Sequence, residues 1–229
     1  MKVNILRQQM QHSESYWESF LYDGPADTTI AGLLDHINYN DDIVTADGKK
    51  TTRIGWDCSC LQSVCGACSM VINGVPALAC ETFLKDLKGS EITIRPLRKF
   101  PVIRDLITDR SSIHENLKHS SIYIEEYIPP EKKRKDEFDH QYLAARCLKC
   151  GLCLEVCPCY VNGESFFGAA FANDCYLVAA RNIKKAKEIR NVYGTHFANT
   201  CSKSLACMDV CPIKIPLLTS IAKLNKVSF

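Results

Sequence analysis

Two stretches of this chain share one cysteine grid. CLKCGLCLEVCPCYV begins at Cys147, CSKSLACMDVCPIKI begins at Cys201, and both halves carry a Cys-Pro. Thiols on a fixed spacing must converge on something, so this repeat constrains the fold more than any hydrophobic pattern. In two-cluster ferredoxins the run C-x2-C-x2-C-x3-C-P sends its fourth cysteine to the other cluster. The grid therefore predicts a crossover. Cys147, Cys150 and Cys153, joined by Cys211, would surround a 4Fe-4S cube, and Cys157, Cys201 and Cys207 would surround a second centre. Pro158 and Pro212, lacking an N–H, turn the chain just after each crossing ligand.

The halves differ at one point, because Cys150 is answered by Ser204. The cube corner facing Ser204 has no thiolate, and an iron held there only by water or serine is easily lost. A 3Fe-4S centre is the expected product, with serine ligation of a fourth iron as the alternative.

A third group lies earlier, in CSCLQSVCGACSMVINGVPALAC. Cys60, Cys65 and Cys68 follow C-x4-C-x2-C, with Cys80 as the distant fourth, which is the plant-type spacing for a 2Fe-2S cluster. Such a site needs a tight loop whose N–H groups point at the sulfurs, and a hairpin that returns the fourth ligand. Gly66 and the Asn73-Gly74 dipeptide supply both. Zinc is the competing occupant, but zinc sites favour paired C-x2-C units and only Cys65 and Cys68 form one here. Cys58 would give C-x6-C in place of Cys60, and it reads as a spare thiol near the surface. Cys159 and Cys175 read as small buried hydrophobes, as free cysteine commonly is. The six histidines show no spacing tied to the cysteines.

The 14 cysteines among 229 residues must be paired, metallated or reactive. Disulfides are disfavoured because the opening MKVNILRQQ has neither an apolar core segment nor a cleavage site. A reduced compartment with metal-bound thiolates is expected. No run of about 18 apolar residues occurs, so no transmembrane segment is expected. A net charge of +2 and a pI near 7.9 give no basic face of the kind nucleic acid demands.

The length suits two small domains. KVNIL, YWESFLY, SMVI, VPALAC and EITIRPL read as strands, and TTIAGLLDHI as one helix carrying Ile30, Leu33, Leu34 and Ile37. Beyond Pro96 and Pro101, the segments VIRDLITDRSSIHENL, FDHQYLAARC, SFFGAAFANDCYLVAARN and IPLLTSIAKLNKV carry apolar residues at helical period. EEYIPPEKKRKDE reads as a solvated, proline- and charge-rich connection. The reading is an α+β chain divided at 103/104, with residues 1–103 holding the 2Fe-2S cluster and residues 104–229 holding the other two.

Taken together, CxxxxCGxC with Cys80, RPLRKFPVIRDLITD, CLKCGLCLEVCP, SFFGAAF and CxxxxxCMDVCP resemble the iron-sulfur subunits of succinate dehydrogenases and fumarate reductases. The resemblance covers nearly the whole chain. It implies an N-terminal plant-ferredoxin-like β-grasp domain and a C-terminal helical domain similar to bacterial ferredoxins, with the ligands as assigned above. It further implies a flavoprotein partner with covalent FAD, docking near the loop from Cys58 to Cys68, and a membrane-anchor subunit with its quinone beside the 3Fe-4S centre. In that arrangement this chain relays electrons, does no bond chemistry on succinate or fumarate, and lies on the cytoplasmic face of the bacterial inner membrane. A relay feeding a thiol or cysteine-rich subunit, and a zinc-stabilised interaction module, are the competing functions.

Two departures stand out. Many quinone-reactive members carry a tryptophan five residues after the first Cys-Pro cysteine and a histidine after the first cysteine of the last group, where this chain has Asn162 and Ser202. Around the first cluster, Leu61 and Ser63 stand where the family often has arginine and glycine.

Overall fold

Alternation of apolar and polar residues makes β1 (Lys2–Arg7) a strand with Val3, Ile5 and Arg7 on its buried side. In the computed structural model, which describes residues 1–128 and 135–226, it pairs antiparallel with β2 (Tyr16–Leu21), Val3 facing Phe20. Helix α1 (Ile30–Tyr39) starts at Thr29, whose hydroxyl accepts the N–H of Gly32 at 3.2 Å. It buries Ile30, Leu33, Leu34 and Ile37, the residues its helical period singles out. A short ladder follows, β3 (Ile43–Val44) with β4 (Lys50–Thr51).

Next, β5 (Ser69–Ile72) and β6 (Val75–Leu78) form a hairpin through Asn73 and Gly74, at φ of 47° and 81°. Two successive positive φ values are what a two-residue hairpin turn of this hand demands. A 3-10 turn at Leu84–Asp86 precedes β7 (Glu91–Arg95), which runs parallel to β1. The five-stranded sheet has the order β2-β1-β7-β5-β6, with Val3, Ile5, Ile92 and Ile94 almost wholly buried.

The segment VIRDLIT departs from the helical reading. It forms the hairpin β8 (Val102–Arg104) and β9 (Ile107–Thr108), turning at Asp105 with φ 49°. The β-branched residues at 102, 103, 107 and 108 favour extended backbone, and Asp tolerates the left-handed turn. The hairpin is tied to the first half, since the N–H of Asp105 donates to Gln8 O at 2.7 Å and that of Leu106 to Gly55 O at 3.0 Å. Contacts accordingly divide the chain into Met1–Asp109 and Arg110–Phe229.

The second unit is helical: α2 (Ser112–His119), α3 (Lys135–Ala145), α4 (Leu152–Glu155) and α5 (Gly168–Arg181). A 3-10 turn (Ile183–Lys185), α6 (Ala186–Tyr193), a π turn (Gly194–Ala198), α7 (Ala206–Asp209) and α8 (Leu217–Asn225) follow. Helix α5 is the core, packed against α2, α3, α4, α6 and α8. Part of the connection EEYIPPEKKRKDE lies outside the described residues. The whole is a mixed α and β fold, and among the described residues no helix is long and apolar enough to cross a membrane.

Candidate metal centres

The first cysteine group sits on the loop entering β5. Leu61 and Ser63 both adopt left-handed backbone, φ 53° and 58°, and the following N–H groups, of Gln62 and Val64, donate to one sulfur, Cys60 Sγ, at 3.3 and 3.4 Å. Those two bonds, with a further one from the Cys65 side chain, lower the Cys60 thiol to about 7. The N–H of Ala67 donates to Cys65 Sγ at 3.4 Å, and the Ser63 hydroxyl lies 3.8 Å from Cys80 Sγ. Cys68 and Cys80 meet across the β5–β6 hairpin, where burial pushes Cys68 up to about 12. Cys58 is exposed.

The lead-in to this loop is clamped from three directions. Asn38 on α1 donates to Ile54 O at 2.9 Å and accepts the Ile54 N–H at 2.8 Å. Asp105 Oδ2 accepts the N–H of Gly55 at 2.8 Å, and the Arg7 guanidinium donates to Thr52 O and Arg53 O, each at 3.2 Å. Sequence reasoning missed these residues.

In the second unit the cysteine repeat is also a backbone repeat. Lys149 and Gly151 have φ 54° and 84°, and their counterparts Lys203 and Leu205 have 58° and 62°. Each pair opens a one-turn helix, α4 or α7, with matching bonds: Leu154 N–H to Gly151 O at 2.9 Å, Met208 N–H to Leu205 O at 2.8 Å. Leu205 adopts a left-handed conformation that glycine adopts freely, so the backbone shape persists where the sequence has lost its glycine.

Two cavities adjoin these turns. One, of about 40 Å³, is lined by Cys147, Cys150, Cys153, Cys207 and Cys211. The other, of about 280 Å³, is lined by Cys157, Cys201 and Cys207 together with Ser204. Both exceed the roughly 10–15 Å³ that a single water needs. Ala169 lines both, and Ala170 and Asn173 line the first, so the small residues of SFFGAAF leave this space open beside α5. Cys207 borders both cavities, which places the two groups next to one another.

Burial raises every shifted thiol here: Cys150 and Cys207 to about 11, and Cys147 and Cys153 upward as well, with neighbouring cysteines adding to it. At neutral pH thiols raised in this way stay largely protonated unless positive charge comes among them, so they fit a group that brings positive charge of its own. Among the described residues, no group of three His, Cys, Asp or Glu side chains could hold a single metal ion.

Cys175 is fully buried, as expected of a small hydrophobe, whereas Cys159 is only half-buried because it lies at the turn after Pro158. Asn162 turns its carbonyl oxygen to the Ser112 and Tyr160 hydroxyls, at 2.7 and 3.0 Å. Ser202 borders the larger cavity.

Residues 2–115 match the model of the 2Fe-2S iron-sulfur cluster binding domain. The succinate dehydrogenase iron-sulfur subunit of Bacillus subtilis (strain 168) is 34% identical, over 97% of this chain and 90% of its own length. The chain belongs to the succinate dehydrogenase and fumarate reductase iron-sulfur subunit family. The fumarate reductase iron-sulfur subunit of Wolinella succinogenes is 33% identical over 76% of this chain and 77% of its own length. The fold of this family member is also that of a chain in the Mycobacterium smegmatis Sdh1 complex in the apo form, with TM-score 0.75 and 21% identity over 97% of this chain and 94% of that one. As an iron-sulfur subunit of this family, the chain is part of an oxidoreductase and its cofactors are iron-sulfur clusters.

Proposed function

We propose that this chain relays single electrons between a flavoprotein subunit, where FAD interconverts succinate and fumarate, and a quinone-reactive membrane anchor. The observation that supports this reading is the gathering of cysteines at one loop and around two adjoining cavities, with Cys207 bordering both. Cys60, Cys65, Cys68 and Cys80 would hold a 2Fe-2S cluster. Cys147, Cys150, Cys153 and Cys211 would hold a 4Fe-4S cluster, and Cys157, Cys201 and Cys207 a 3Fe-4S cluster. Bound there, the clusters supply one-electron chemistry that no side chain provides.

The chain's own part is to hold, insulate and tune. The sulfurs of Cys147, Cys150, Cys153 and Cys211 border a cavity also lined by the buried apolar residues Leu152, Ile215 and Leu217, which would limit the access of water to a centre held there. Backbone N–H groups at Gln62, Val64 and Ala67 stabilise thiolate charge in the first loop. On this reading the first unit is a plant-ferredoxin-like β-grasp domain and the second a helical bacterial-ferredoxin-like domain. The anchor would hold the assembly to the cytoplasmic face of the bacterial inner membrane.

EPR-monitored redox titration of the purified complex, with succinate-to-quinone turnover measured on the same sample, tests this. Three distinct cluster signals that respond to succinate are expected. A colourless chain, or clusters that succinate and quinol both leave unchanged, would overturn it.

A further inference from the structure

Ser63 occupies a backbone position that favours glycine. Its φ is 58°, between Leu61 at 53° and Gly66 at 75°, in a loop whose turns direct the N–H groups of Gln62 and Val64 to Cys60. A glycine would make the same turn without strain, so the backbone gives no reason for a side chain here. The side chain is half-buried, and its hydroxyl oxygen lies 3.8 Å from Cys80 Sγ, seventeen residues away across the hairpin.

We propose that Ser63 is a positioning residue that sets the reduction potential of the first centre, through a hydrogen bond from its hydroxyl to Cys80 Sγ. This rests on the reading of Cys80 as a ligand of the 2Fe-2S cluster. As free groups, either atom can donate. A metal-bound cysteine is a thiolate with no proton of its own, so in the loaded protein the hydroxyl is the donor and the sulfur the acceptor. The bond then strengthens as negative charge on the sulfur grows. Reduction by one electron adds such charge, so the hydroxyl stabilises the reduced form more than the oxidised form and raises the potential. The sulfurs of Cys60 and Cys65 receive backbone N–H groups, which any residue but proline supplies. The contact to Cys80 comes from a side chain, and a single substitution removes it.

The test uses Ser63→Gly and Ser63→Ala in the intact complex. Glycine removes the hydroxyl and also relieves the left-handed strain, so that variant folds at least as readily; alanine removes the hydroxyl and keeps the strain. Potentiometric EPR titration should show the 2Fe-2S midpoint falling in both, while the 4Fe-4S and 3Fe-4S midpoints stay in place. The expected fall shifts the one-electron equilibrium toward the oxidised form by about threefold to tenfold, the larger figure being about 59 mV. Pulsed EPR after exchange into D2O should show one deuteron coupling fewer in each variant than in the parent. Unchanged midpoints in both variants would overturn the inference and leave the ligand reading standing. A fall in Ser63→Gly alone would assign the effect to the backbone and overturn it too. A parent complex without a 2Fe-2S signal would overturn the ligand reading first, and this inference with it.

Discussion

Arg7 Nε and Asp105 Oδ1 lie 2.9 Å apart with both side chains at 1% exposure or less, although they are separated by 98 residues. Glu18 adds a second carboxylate to the guanidinium at 2.6 Å, and Asp105 also takes the N–H groups of Gln8 and Gly55. Together they join β1, β2, the β8–β9 turn and the lead-in to the first cysteine loop.

Removing one partner of a buried pair leaves the other charged and unsatisfied, which costs about 3–5 kcal/mol. Asp105→Ala should therefore destabilise the first unit by an amount of that order, and Gly55 should lose its anchor. Heating the assembled complex while following visible circular dichroism of the 2Fe-2S cluster checks this. Loss of that signal at an unchanged temperature would show that the pair contributes little.

Cys65→Ser should remove or severely alter the 2Fe-2S EPR signal and leave the other two, because Cys60, Cys65, Cys68 and Cys80 all lie within Met1–Asp109. Reduction of the remaining clusters by succinate should slow, while their reduction by dithionite should not. Loss of all three signals from a folded complex would contradict the grouping of ligands.

His140 on α3 is buried, its Nε2 3.0 Å from the Ser220 hydroxyl on α8 and its ring edge-on to Tyr176 on α5. Burial, then the nearby Lys223 charge, holds its pKa below 6.5, with Glu137 opposing. The unfolded chain binds this proton first as pH falls, so stability contributed by neutral His140 is complete above about 6.5 and is lost below it. His140→Gln, which can still reach Ser220, should flatten the pH dependence of unfolding on the acid side of 6.5. An identical slope in both proteins would show that other groups set it.

Much of the first unit was legible in the sequence, because β1, β7 and α1 follow their periods and Asn73-Gly74 has one common use. The β8–β9 hairpin was not, since a short apolar run such as VIRDLIT matches helix and strand templates alike. Helix α6 and the π turn went unread because KKAKEIRNVYGTHFA carries few apolar residues over a short span. The cysteine groups stood out because their spacing is dictated by cluster geometry. The Arg7–Asp105 pair did not, because nothing local marks two charged residues 98 positions apart as partners. Ser63 was visible as a departure at its position, but its reach to Cys80 exists only in the folded loop.

Ser204 gives the sharpest test of the second unit. It stands at the grid position of Cys150, flanked by left-handed Lys203 and Leu205 as Cys150 is by Lys149 and Gly151, and it lines the cavity with Cys157, Cys201 and Cys207. The backbone is therefore already shaped to present a thiol, and Ser204→Cys should permit a 4Fe-4S cube. A fourth thiolate adds negative charge beside the cluster, which disfavours uptake of another electron and lowers the potential. Each fall of about 59 mV costs tenfold in a one-electron equilibrium. The variant should lose the EPR signal that a 3Fe-4S centre shows when oxidised, gain a signal when reduced, and exchange electrons less efficiently with its quinone or other terminal partner. Iron analysis should rise by one atom per chain. If the parent complex, purified without oxygen, already holds four irons at this centre and shows no 3Fe-4S signal, Ser204 is itself a ligand or is bypassed, and the missing-corner reading fails.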